Sequence, residues 1–142
     1  MALIAVVGLV PDIHAQECKT VSAHTYTDSV CIRFGQSKWN LDMNLGDNAA
    51  CLNDIDRRLT SVINDSVYHI RHVDIIGGAS PEGSADFNRF LSERRANTLF
   101  NRLEQYSPLS KTDKTFTFLG RDWEGVLRLA VTDKNLPYRT ET

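Results

Sequence analysis

Val30, Ile32 and Phe34 alternate with Cys31 and Arg33, the period of two that a strand shows when one face is buried. The Thr-rich stretch before it, about Val21 to Thr27, reads as a partner strand. Gly35 to Gly46 is polar and turn-like, with Trp39, Leu41 and Leu45 as apolar anchors. From Asp47 the period changes. Ala49, Leu52, Ile55, Leu59 and Val62 or Ile63 recur at three- and four-residue steps, one face of an amphipathic helix. Asp47 or Asn48 is its candidate cap, and Asn64-Asp65-Ser66 ends it. Val67 to Gly78 predicts a second strand. A second helix follows the Gly77–Ser84 loop and runs to about Tyr106, where Ser107-Pro108 stops it. Its start has two candidates. One is Ser80 as cap, with Pro81 at the first helical position and Glu82 favourable to the dipole; the other is Ser84. Thr115 to Leu119 predicts a third strand. Trp123, Val126, Leu127 and Ala130 predict a short helix over Asp122 to Val131. Alternation of strand and helix argues for helices packed on one or both faces of a sheet.

The first residues stand apart. Ala2 to Val10 is an apolar run, and Ile13-His14-Ala15 ends it with a small residue, like the hydrophobic and cleavage regions of a secretory signal. The run is too short to span a bilayer as a helix, and no Lys or Arg precedes Lys19 to supply a basic region. A buried N-terminal strand is the competing reading. A signal removed near Ala15-Gln16 is the one adopted, which divides the chain into a signal (1–15), a lead-in (16–28) and a domain (29–142). No Cys directly follows a lipobox-like sequence, so a lipoprotein is not expected. The chain stops soon after Tyr138, in what looks like the middle of an element, so a C-terminal truncation is expected.

Composition adds bounds. The 142 residues are 42% hydrophobic and 24% charged, which suits one compact domain able to bury a core without metals or dense disulfides. A net charge of -2 gives no broad footprint for nucleic acid. Of Cys18, Cys31 and Cys51, an oxidising compartment permits one pair and leaves one over. None has CxxC spacing, and His69 and His72 fall in a strand-like run, so no metal and no cofactor are expected.

The second helix carries the chemistry of interest. On a wheel of roughly 100° per residue, Phe87, Leu91, Leu99, Leu103 and Tyr106 share one broad face. Arg95 and Asn88 fall inside that face, whereas Arg94 falls well off it. An inward guanidinium must find an anion or line a cavity, because burying it unpaired is costly. Asn88 adds an amide that donates and accepts. The loop ahead adds backbone N–H groups at a helix N-terminus. These groups describe an anion pocket in which Arg95 holds a carboxylate through two parallel hydrogen bonds. The alternative is an internal acid partner, with Asp74 and Glu82 as candidates.

Gly77-Gly78-Ala79-Ser80-Pro81-Glu82-Gly83-Ser84-Ala85-Asp86-Phe87-Asn88, followed by Leu91-Ser92-Glu93-Arg94-Arg95-Ala96, resembles the signature of the OmpA-like C-terminal domain. The likeness extends weakly over about Val30 to Gly120. With Gly120-Arg121-Asp122-Trp123-Glu124-Gly125 downstream, it looks like the variant of Bacteroidetes envelope proteins. The resemblance implies a βαβαβ sandwich, α+β or α/β, with helices on a small mixed sheet and a short C-terminal helix. It implies non-covalent binding of the diaminopimelate stem peptide of peptidoglycan, which anchors an exported periplasmic or outer-membrane-associated protein to the cell wall. Outer-membrane association would come through a partner or a missing segment.

The family grips its ligand with an Asp and an Arg. The likeness places the Arg at Arg95, a supporting polar residue at Asn88 and the Asp at Ser80. Ser80 accepts a hydrogen bond from an ammonium but brings no charge, and a charge-assisted bond is roughly twice as strong as a neutral one. Glu82 is two residues on, with Gly83 and Ser84 completing the loop. The alternative is therefore a degenerate scaffold that binds other envelope proteins and not peptidoglycan. Catalysis is not expected. The Gly-x-Ser-x-Gly elbow is absent, and the four-residue spacing of Glu82 and Asp86 is common at helix starts without function.

Overall fold

In a computed structural model of the chain, residues 2–11, 26–124 and 127 are described. Its elements are β1 (Ala2–Pro11), β2 (Tyr26–Arg33), α1 (Asn48–Ile63), β3 (Tyr68–Ala79), α2 (Ala85–Leu103), α3 (Ser107–Lys111) and β4 (Asp113–Arg121). The content is mixed α+β, with a sheet in the order β2-β1-β3-β4. β1 runs antiparallel to both neighbours, and β3 and β4 pair in parallel, Ile75 opposite Phe116. From β2 onward the strand–helix alternation is the expected one. The short α3 is additional and occupies the place of the Ser107-Pro108 stop.

The apolar alternation does the work assigned to it. Val30 and Ile32 of β2, Phe34 just after it, and Val73 and Ile75 of β3 are buried. They meet Leu52, Ile55 and Leu59 of α1 and Ala96, Leu99 and Leu103 of α2 in one core. The opposite face of β3 is only half-covered. There His72 Nε2 lies 3.1 Å from an Asp74 carboxylate oxygen and 3.0 Å from the Thr115 hydroxyl.

Several boundaries differ from expectation for physical reasons. α2 ends at Leu103, three residues before Tyr106, and a turn leads to α3. Ser84 is the α2 cap: its hydroxyl accepts from the Phe87 N–H at 3.2 Å. Asp47 holds the cap position of α1 without a side-chain capping bond; its carboxylate lies 3.7 Å from Arg33 Nε. Asn48 is turned instead to β2. Its carbonyl oxygen accepts from the Arg33 N–H, and its amide donates to the carbonyls of Arg33 and Asp42, each at 2.8 Å. Asn48 is fully buried, so Asn48→Ala strands those backbone groups. A loss of about 1–3 kcal/mol is expected, to be read from denaturant unfolding.

The apolar run expected as a secretion signal is β1 here, the arrangement of the competing reading, an N-terminal strand. It lies between β2 and β3, which do not pair with each other. Of the partner strand expected over about Val21 to Thr27, Tyr26 and Thr27 belong to β2 itself; residues 21–25 and Cys18 lie outside the described residues, as does most of the final helix expected over 122–131.

Candidate functional site

The signature residues converge where the C-terminal end of β3 meets the start of α2. Gly77 comes first because it sets how closely the two elements approach. A Cβ there would stand 1.9 Å from the Ser92 carbonyl oxygen and 3.1 Å from the Ala96 Cβ. Glycine on the strand and a small residue on the helix are thus both required by contact. Ser92, also buried, donates its hydroxyl to the Arg89 carbonyl at 2.8 Å and accepts from the Gly120 N–H at 3.2 Å. That bond ties α2 to the end of β4, where Gly120 turns with a φ of 62°.

Arg95 is 2% exposed, and Arg94 is exposed with its guanidinium stacked on Phe90 at 5.1 Å. The wheel separated these two neighbours in the same sense. The Arg95 guanidinium donates through Nε to the Lys38 carbonyl at 2.8 Å and through its terminal nitrogens to Gly78 at 3.0 Å and Gly35 at 2.9 Å. It also lies 5.5 Å from the centre of the Phe34 ring, a cation–π distance. Burial lowers its pKa to about 10, because desolvation disfavours the charged form. Of the two acids named as candidate partners, Asp74 faces His72, and Glu82 lines the cleft described below, its backbone carbonyl accepting from Asn88.

The consequence is a clamp. Gly35 and Lys38 are the two ends of a tight turn, closed by the Lys38 N–H donating to the Gly35 carbonyl at 3.1 Å. Ser37 sits in that turn with a positive φ of 54°. Arg95 holds both ends of the turn and fastens them to the end of β3.

A cleft of about 250 Å³ opens above this clamp, lined by Gln36, Ser37, Ser80, Glu82, Gly83, Phe87, Asn88 and Leu91. Of the residues expected to bind ligand, Ser80, Glu82, Gly83 and Asn88 are brought together on its wall. Ser84 is engaged as the helix cap, and Arg95 lies beneath the wall as its fastening. Asn88 is 2% exposed and donates to the Glu82 carbonyl at 2.8 Å, which fixes the loop against α2. Arg121 donates to the Gly83 carbonyl at 2.7 Å and supports the loop from the other side.

Sequence reasoning did not single out Gln36 and Ser37. Their only signal was a polar, turn-like stretch after a strand. It also missed an exposed aromatic group beside the cleft. Trp39 meets Phe90 edge-on at 5.6 Å, and Phe90 stacks with Phe87 at 6.3 Å.

The arrangement can do polar recognition. It offers a serine hydroxyl, a carboxylate and an amide around a small concavity with an apolar flank. Among the described residues, no group of three or more His, Cys, Asp or Glu is placed to hold a metal ion, and no helix is long and apolar enough to cross a membrane. Compared with known proteins, the chain matches no family model, no curated protein and no solved structure.

Proposed function

We propose that this chain is an OmpA-like βαβαβ domain that binds the diaminopimelate-bearing stem peptide of peptidoglycan without covalent chemistry. In this reading it holds an exported envelope protein, periplasmic or outer-membrane-associated, against the cell wall. The observation that carries the reading is the cleft at the β3–α2 junction, in which Ser80, Glu82 and Asn88 of the resembling signature line one wall. Glu82 supplies a carboxylate for the stem-peptide ammonium, and Ser80 and Asn88 supply neutral hydrogen bonds. Arg95 acts as a positioning residue that keeps the Gly35–Lys38 turn at the cleft edge.

Retention of the purified protein on isolated cell-wall sacculi tests this. The wild type is expected to be retained, and Glu82→Gln to be retained less. Ser80→Asp adds a charge-assisted bond and is expected to raise affinity about fivefold to tenfold. Absence of retention by both the wild type and Ser80→Asp would sink the proposal.

A second reading has its own observation. The Arg95 donors described above go to backbone carbonyls, and Ser80 is uncharged. A scaffold with this site emptied of ligand binding would engage another envelope protein instead. Sacculus binding that appears only in Ser80→Asp favours this second reading; retention of the wild type excludes it.

A further inference from the structure

We infer that Cys31 of β2 and Cys51 of α1 are the thiols that pair, forming an intramolecular disulfide that staples the edge strand to the helix in an oxidising compartment. The inference is independent of the peptidoglycan reading. It starts from two contacts that fix how α1 lies along β2. At one end, the Asn48 side chain pairs with both backbone groups of Arg33 at 2.8 Å. At the other end, Arg58 pairs with Asp28. The helix therefore runs antiparallel to the strand and beside its free edge.

The spacing agrees along both elements. From Asn48 to Arg58 the helix rises about 15 Å at 1.5 Å per residue. From Arg33 to Asp28 the strand covers roughly 17 Å at 3.3 Å per residue. Cys51 then lies about 4.5 Å past Asn48, and Cys31 lies roughly 7 Å past Arg33. The two cysteines are level to within about 2 Å along the shared direction.

Both also border one space. Asp47, Cys51, Asp54 and Arg58 recur at three- and four-residue steps and form one stripe of α1. That stripe and the β2 residues Cys31 and Arg33 line a single cleft of about 200 Å³. Both cysteines are free thiols, with Cys31 exposed and so open to an incoming oxidant. Desolvation raises both thiols above their ordinary value; Arg33 opposes the shift at Cys31, and Asp47 adds to it at Cys51.

The chemistry is thiol–disulfide exchange with a disulfide oxidant such as oxidised glutathione. The Cys31 thiolate attacks one glutathione sulfur, breaks the S–S bond and releases one glutathione thiolate, which takes up a proton. The Cys51 thiolate then attacks Sγ of Cys31 in the mixed disulfide and releases the second glutathione. Two protein thiols are oxidised, one glutathione disulfide is reduced to two thiols, and the two protein protons end on glutathione. Because the thiolate is the reactive form, the rate is expected to rise with pH through the range in which both thiols titrate.

The test uses the full chain, purified reduced and then equilibrated folded with a glutathione redox buffer. Remaining thiols are alkylated and the peptides mapped by mass. The expected result is a Cys31–Cys51 linked peptide two hydrogens lighter than its parts, with Cys18 alkylated. Cys18→Ser is expected to form the same bridge, and to melt at a higher temperature oxidised than reduced. Cys51→Ala is expected to lose that difference. Linkage of Cys18 to either partner, or alkylation of both Cys31 and Cys51 under conditions that keep the chain folded, overturns the inference.

Discussion

Gly77→Ala is expected to destabilise the protein by about 3 kcal/mol or more, at or beyond the upper end of ordinary overpacking costs. The added carbon would stand 1.9 Å from the Ser92 carbonyl oxygen and 2.8 Å from its carbonyl carbon. Both atoms belong to helix backbone, so no side-chain rotation relieves the overlap. Relief requires α2 to lift from β3, and lifting it opens the contacts of Ala96 and Leu99 in the core. Gly78→Ala is the matched control. Its Cβ would meet Cβ and Oδ2 of Asp122 at 3.0 Å, a much smaller overlap than the 1.9 Å at Gly77. Denaturant unfolding of the two variants side by side is the measurement. A midpoint for Gly77→Ala equal to that of Gly78→Ala would show that the helix does not approach the strand this closely.

That prediction changes what the signature means. Gly77, Ser92 and Ala96 are explained by packing: a close approach, a hydroxyl that ties α2 to β4, and a small side chain opposite the glycine. The resemblance to a ligand-binding family therefore rests partly on residues that build the junction and only partly on residues that face the cleft. Arg95 stands between the two groups. Its burial was legible in the helix period, because an apolar face specifies direction whatever residue occupies it. Three of its acceptors were not legible, because they are the backbone carbonyls of Gly35, Lys38 and Gly78, and a carbonyl leaves no mark in residue identity.

The helix starts teach the same distinction. Ser84 caps α2 through a bond three residues along, a local interaction that sequence can propose and geometry can choose. Asn48 has the residue type of a cap but spends its amide on β2, a tertiary contact with no local signature. The strand β2 and the helix α1 were legible because period two and period 3.6 are both set by which face meets the core. Ala2 to Pro11 has no such alternation. A continuous apolar run suits the hydrophobic region of a secretion signal and equally suits a strand paired on both sides, so periodicity alone could not decide between them.

Removing that run is expected to have the largest effect of all. β1 pairs with β2 from Ala2 opposite Arg33 to Leu9 opposite Tyr26, and with β3 from Ile4 opposite Ile76 to Pro11 opposite Tyr68. β2 and β3 have no direct pairing, so β1 is what joins one side of the sheet to the other. A chain of residues 16–142 would leave the N–H and C=O groups of two inner strand edges without partners, and buried backbone groups are almost always paired. That chain is expected to lose cooperative unfolding and its near-ultraviolet circular dichroism. A synthetic peptide of residues 1–15 added in trans is expected to restore both. An unchanged denaturant midpoint for residues 16–142 would remove β1 from the account of stability. The result bears directly on export, because one molecule cannot both lose this segment at Ala15 and use it as an inner strand. The intact mass of protein purified from cells separates the cases. A retained N-terminus accords with β1 as a permanent strand, whereas a chain that begins near Gln16 requires a different strand to enter between β2 and β3 before the domain can close its sheet.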